Sequence, residues 1–335
     1  MSNKETTLRK TNIFSSNIRE IGLIFAILLL SVLVNVRSGG HFLTSENISD
    51  MLTETAVLAI LSVGMMMVII TAGIDLSIGS TMALAGMAGT MFLKSNINTN
   101  PLIIVGISVL VGAVCGVVIG FFVSKIKILP MIVTLGMMYV YRGIAYLVSG
   151  GGWVLQKDMS KSFMSIATGK VFGINNLVVI ALVIFIIGYY FLNFTRTGRQ
   201  IYAVGNSPDS AKVSGINNDK ILTLVYTLMG AIAGLAGILY VCKYAAAQGE
   251  TASGYEMNVI AACVLGGVSI SGGTGKVQGV LLGALMFGVL NNAMPMMNIS
   301  PFWQEAIRGL IIIVSVILNV LIQRNVQYRA LQRRV

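Results

Sequence analysis

What most constrains this chain is a succession of apolar runs separated by short polar joints. They fall at about 20–36, 51–71, 79–93, 102–124, 130–149, 176–194, 221–242, 257–271, 277–294 and 302–322. A straight helix needs about 20 apolar residues to cross the hydrocarbon core of a bilayer. Most of the runs approach that length, whereas 79–93 and 257–271 are short. Each short run borders a glycine-rich break, "GIDLSIGS" before the first and "GGVSISGGTGK" after the second. In lipid every backbone polar group must be satisfied internally, which leaves helices for runs of this length. The fold class expected is an all-α integral membrane protein of about ten transmembrane helices, two of them short or broken. The count falls to eight if the short ones are re-entrant. Composition agrees, since only 10% of residues are charged against about 25% in a soluble domain.

The formal charge of +11 does not point to nucleic acid, because the basic residues cluster at the joints and the two ends. With the N-terminus inside, the inside joints and tails hold 15 Lys and Arg and the outside joints hold 6. That asymmetry predicts both termini in the cytoplasm and a multi-pass protein of a plasma membrane. The expected division is a cytoplasmic segment 1–19, a transmembrane domain 20–322 with a cytoplasmic loop 195–220, and a basic tail 323–335. The polar start lacks a small-residue cleavage site after the first run, so an uncleaved first span is expected rather than a signal peptide.

Small residues recur every four positions, as at Gly112, Gly116 and Gly120, at Gly230 and Gly234, and at Gly279 and Gly283. Such faces let helix backbones approach closely where lipid supplies no hydrophobic drive. The two glycine-rich hairpins at 51–93 and 257–294 also resemble each other, a hint of an internal repeat of the kind transporters use. Catalytic signatures are missing. In "SGGTGKV" the first glycine of a phosphate-binding loop would fall on Ile270 and its hydroxyl residue on Val277. One histidine, His41, supports neither a His-based metal centre nor a Ser/His/Asp triad. Cys115, Cys242 and Cys263 lie in or at the ends of apolar runs without CxxC spacing and read as packing residues.

Asp75 is the one acid deep in an apolar stretch. An intramembrane carboxylate is a functional candidate by default, because insertion of the charge costs about 2.5–3.5 kcal/mol. Two aspartates would be needed for an intramembrane protease, and Asp158, Asp209 and Asp219 are in loops. Standing just before a helix start, Asp75 reads as a capping acid within the helix break Gly73, Asp75, Ser77, Gly79 and Ser80. The competing readings are a direct gate or sugar contact by Asp75 and a proton- or sodium-coupled carrier that uses it.

The loop 195–220 contains a complete short-helix grammar. Ser207 suits the N-cap, Pro208 the first helical position, Asp209 the positive helix start and Gly215 a left-handed ending. It predicts a helix of about two turns on the cytoplasmic face, flanked by Arg196, Arg199, Lys212 and Lys220. Short exposed helices of this kind often carry partner contacts.

Together "ITAGIDLSIGS", "AVGNSPDSAKVSGI" and "YEMNVIAACVLGGVSISGGTGKVQGVLLGALMFGVLNN" resemble the permease subunits of bacterial ABC importers for simple sugars, the ribose-type group. The resemblance covers about residues 20–322, with the three motifs in order. The family's docking pattern, Glu-Ala-Ala followed by Gly, reads here as Asp209, Ser210, Ala211 and Gly215, so charge and small size are kept. The resemblance implies a coupling helix seated on an ATPase, built from Gly205, Asn206, Ser207, Asp209, Ser210, Ala211 and Gly215. It also implies a second permease chain, identical or different, an extracytoplasmic sugar-binding protein and a partner ATPase that holds ATP and Mg. No cofactor or metal belongs to this chain on that reading, and it is not an enzyme. Related permeases carry nucleosides or amino acids, and the "GIDLSIGS" form favours sugars.

Candidate sugar contacts are polar or aromatic residues at the span ends: Asn291, Asn292, Trp303 and Gln304, with Ser77 and Ser80. The connections 37–50, 150–175 and 244–256, the last with Glu250 and Glu256, form the expected outward surface.

Overall fold

A computed structural model describes the backbone of residues 2–332 and the side chains of residues 19–317 other than Ser315. The polar start before Arg19 and the basic tail 323–335 therefore lie outside the described side chains. Ten helices coincide with the ten apolar runs. They are α1 (Ser2–Arg37), α2 (Ser45–Ile70), α3 (Ile78–Ser95), α4 (Pro101–Ser124), α5 (Pro130–Ser149), α7 (Asn176–Phe194), α10 (Asn218–Tyr244), α11 (Tyr255–Leu265), α12 (Val277–Met296) and α13 (Pro301–Gln332). Three further helices lie in the connections: α6 (Lys161–Thr168), α8 (Arg196–Asn206) and α9 (Pro208–Val213). Two small antiparallel pairs complete the structure, β1 (Val154–Leu155) with β4 (Ala246–Ala247) and β2 (Lys170–Val171) with β3 (Ile174–Asn175).

Among the described residues, seven helices are long and apolar enough to cross a membrane: α1 from Arg19, α2, α4, α5, α7, α10 and α12. Helix α11 has only 11 residues, about 16 Å at 1.5 Å per residue, and does not span. Helix α2 is apolar all round and buried from Thr55 to Ile70, as a helix at the centre of a bundle must be. On α4, by contrast, Leu102, Leu110, Val114 and Phe121 are exposed and present the apolar surface that lipid requires.

Helices α4 and α10 cross with backbone against backbone. A Cβ on Gly112 would sit 2.2 Å from the Gly230 carbonyl oxygen, and one on Gly116 would sit 2.1 Å from that of Tyr226. The four-residue glycine spacing is thus a contact face, where packing replaces the hydrophobic drive absent in lipid. Ser108 and Ser124 on α4 add hydrogen bonds to the Ala85 carbonyl (2.9 Å) and the Thr223 hydroxyl (2.8 Å).

The chain order divides the bundle into two ends. One carries α8, α9 and the ends of α2 and α11; the other carries α6 and the small strand pairs. Helix α2 ends at the first of these in a Schellman closure. Ala72 N–H donates to Ile69 (2.9 Å) and Gly73 N–H to Val68 (3.0 Å), with Ala72 left-handed at φ 59°. The reversal therefore occupies Thr71–Gly73. Residues 74–77 then run back into the bundle, so Asp75 lies deeper than the turn itself.

Candidate functional site

Asp75 is buried, and one carboxylate oxygen accepts from the Ser77 N–H (2.8 Å) and the Ser77 hydroxyl (2.7 Å). Ser80 Oγ donates to the Ser77 carbonyl at 2.8 Å. These bonds close the first turn leading into α3, where free N–H groups and the positive helix end favour an anion. Gly73 permits close approach, since a Cβ there would lie 2.4 Å from the Tyr226 hydroxyl. Gly79 does the same for α11, with Glu256 Oε2 2.7 Å from a Cβ at that position. Ser77 and Ser80 are occupied by the break itself and do not line a cavity described below.

A cavity of about 440 Å³ opens toward the α6 end. Its wall comes from α2 (Glu54, Thr55, Leu58), α11 (Tyr255, Asn258) and α12 (Gly288, Asn291, Asn292), closed by Tyr244 and Arg308. That volume falls within the usual range of small-molecule sites, roughly 300–1,000 Å³. Glu54 is held from both sides, by Lys243 at 2.7 Å and by the Tyr244 hydroxyl at 2.8 Å. Arg308 Nε donates to Asn291 Oδ1 at 3.0 Å. Asn292 and Asn47 exchange amide hydrogen bonds of 2.9 and 3.1 Å, tying the start of α2 to the end of α12. Next to it, Tyr240, Tyr244 and Tyr255 pack ring against ring, with centroids 4.5 and 5.8 Å apart. The site therefore combines aromatic faces, amides and one charge of each sign.

Of the four span-end residues named as sugar contacts, Asn291 and Asn292 line this cavity. Trp303 and Gln304 belong to the first turn of α13 instead. Trp303 is two-thirds exposed, and Gln304 Nε2 is spent on the Ile299 carbonyl at 2.8 Å. Trp303 lies on a different face of α13 from Arg308, whereas Gln304 shares the Arg308 face but turns its amide back to the Ile299 carbonyl. The tyrosines, Glu54, Asn258 and Arg308 were missed, because the pairings that assemble them span the chain. Tyrosines at 240, 244 and 255 beside an outer span end were the available signal.

At the opposite end, α8 and α9 meet without a linker. Ser207 is the C-cap of α8 and the N-cap of α9, accepting from the Ser210 N–H at 3.3 Å. Helix α9 closes with Gly215 N–H on Lys212 and Ile216 N–H on Ala211, both at 3.0 Å, and Gly215 at φ 79°. Its exposed face shows Asp209, Ser210, Lys212 and Val213, the last 90% exposed. Ala211 points inward and is buried, so it belongs to the packed face of α9 rather than to the exposed one. A groove of about 600 Å³ runs beside α9, lined by Lys127, Asp209, Lys212, Asn217 and Asp219. Asp219 is bridged there by Lys125 at 3.3 Å and by Lys127.

Helix α8 is the element that loop reading missed. Thr195 caps it, and Gly198, Ile201 and Val204 bury one face at helical spacing. Tyr202 donates its hydroxyl to the Gly275 carbonyl at 2.8 Å. Burial pushes that phenol up to about 12, so it keeps its proton at physiological pH. Among the described residues, no cluster of His, Cys, Asp and Glu is arranged to hold a metal ion.

Residues 47–316 match the family described as branched-chain amino acid transport system / permease component. The chain belongs to this permease family. Its curated relatives include the ribose import permease protein RbsC of Escherichia coli K12, 37% identical over 301 residues, which covers 88% of this chain and 92% of that protein. RbsC of Bacillus subtilis 168 is 31% identical over 306 residues, or 91% and 94% of the two chains. The galactose/methyl galactoside import permease protein MglC of E. coli K12 is 33% identical over 323 residues, or 91% and 95%. No solved structure matches. Membership accounts for the architecture as a whole, since a permease component is a membrane-spanning transport subunit.

Proposed function

We propose that this chain is the membrane permease of a bacterial importer for a simple sugar, driven by a separate ATPase. One observation carries the reading: a polar and aromatic cavity, in a chain whose relatives across almost its full length are named as ribose and galactoside import permeases. Tyrosine faces suit the apolar faces of a sugar ring, and Glu54, Asn258 and Arg308 suit its hydroxyls. The α9 end is cytoplasmic, as the excess of basic residues on that side supports. There the exposed face of α9 docks the ATPase, which holds ATP and Mg. The α6 end receives sugar from an extracytoplasmic binding protein, and a second permease chain completes the path. Transport is by alternating access, with no covalent step on this chain.

Uptake of labelled ribose, galactose, arabinose and allose by cells carrying the full transporter tests this. Glu54→Gln is expected to lower uptake of the accepted sugar about tenfold, the worth of one charge-assisted hydrogen bond. Asp209→Arg with Val213→Asp is expected to abolish co-purification of the ATPase while the permease still inserts. Uptake that survives loss of the ATPase but collapses with a protonophore would overturn the proposal in favour of an ion-coupled carrier.

A further inference from the structure

The docking unit and the cavity are far apart, yet three of the helices that wall the cavity converge on one point beside α8. Helix α2 carries Glu54 and Thr55 at the cavity and ends at Ile70, some 22 Å further along at 1.5 Å per residue. Helices α11 and α12 carry Tyr255, Asn258 and Asn291, and residues 266–276 connect them. At the cytoplasmic end Gly273 N–H donates to the Ile70 carbonyl at 2.8 Å, joining that connection to the end of α2.

Helix α8 is keyed into this joint. A Cβ on Gly205 would lie 1.8 Å from the Ile70 oxygen and 2.9 Å from the Gly273 nitrogen, so no other residue fits. Reciprocally, a Cβ on Gly273 would lie 2.9 Å from Asn206 Cα, and one on Gly272 would lie 2.8 Å from the Gly205 oxygen. The Tyr202 hydroxyl clamps the far side through Gly275. Ser207 caps both helices, so α8 and α9 are joined through a single residue with no linker between them. The contact is close-packed, and close-packed joints pass on displacement rather than absorb it.

We propose that Gly205 and Tyr202 are the positioning residues through which movement of the docked ATPase reaches the cavity, by shifting α2 and the α11–α12 pair together. The inference rests on α9 being the ATPase-docking helix. It assigns Gly205 and Tyr202 an inward role, distinct from contact with the ATPase.

The test uses the assembled permease–ATPase complex in lipid nanodiscs, with a cysteine at Asn258 in the cavity and the three buried native cysteines retained. The readout is the rate of maleimide labelling at that cysteine, without nucleotide and with ATP, Mg and vanadate. In the parent, trapping is expected to change the rate by about fivefold or more, the lower range of allosteric coupling. Tyr202→Phe removes only the clamp hydroxyl, so complex yield and ATP hydrolysis are expected to stay within about twofold while the labelling response disappears. A full response in Tyr202→Phe overturns the inference alone, as does a response lost only in proportion to complex yield. A parent without any nucleotide response overturns the transport reading as well.

Discussion

Helices α2 and α11 end alike, and the chain then does opposite things. Each closes with a Schellman pair: Gly73 donates to Val68 and Ala72 to Ile69 in one, Val268 to Cys263 and Gly267 to Val264 in the other. After α2 the chain turns back into the bundle, and Asp75 supplies the acceptor that its buried turn needs. After α11 it stays at the end of the bundle that carries α8. There Gly272 donates to Ser269 at 2.9 Å and Ser269 to Thr274 at 3.0 Å, so backbone satisfies backbone. The break inside the bundle takes an acceptor from its own Asp75, whereas the break at the end takes donors from elsewhere in the chain, Arg19 on the Val264 carbonyl (2.7 Å) and Tyr202 on that of Gly275 (2.8 Å). The two stretches share glycine, but only one contains an acid.

The contrast is tested most severely by Asp75→Ala. Ser77 would lose its acceptor for both N–H and hydroxyl, at about 1–3 kcal/mol for each buried group left unpaired. A sharp fall in detergent-stable protein and in the thermal unfolding midpoint is expected; an unchanged midpoint would mean the buried break is held by packing. Exchange at the two left-handed positions is expected to have a smaller effect and to run in opposite directions. Gly267, at φ 101°, should lose about 1–2 kcal/mol as Ala, and Ala72→Gly should gain up to about that amount. Equal signs for the two would break the likeness of the closures. Asp75→Asn should matter least, within about 1 kcal/mol, because the amide oxygen still accepts from Ser77. Sugar uptake should survive that change, and its loss in a well-folded variant would revive the ion-coupled reading.

Much of the fold was legible because lipid enforces it. All ten apolar runs became helices, and the α9 grammar of Ser207, Pro208 and Gly215 describes the helix ends as they stand. Local rules work where partners are local. Helix α8 was legible in principle, through Gly198, Ile201 and Val204, but its polar composition hid it in a loop. The cavity was half legible. Asn291 and Asn292 are polar at a span end, while Glu54 gains its role only from Lys243 and Tyr244, which no spacing rule brings near it. Trp303 lies outside the lining for the same reason, since the facing of α13 is set by which residue reaches Asn291, and that residue is Arg308.

The amide pair between Asn47 and Asn292 joins residues 245 apart in the chain. At roughly 5–20 residues per second, a ribosome needs about 12–50 s to make the stretch between them. Helix α2, destined for the centre, is therefore made early, and its Asn47 amide lacks this partner until nearly the last helix emerges. A nascent chain stalled before residue 292 is expected to remain open to proteolysis near Asn47, and release of the stall to close that window.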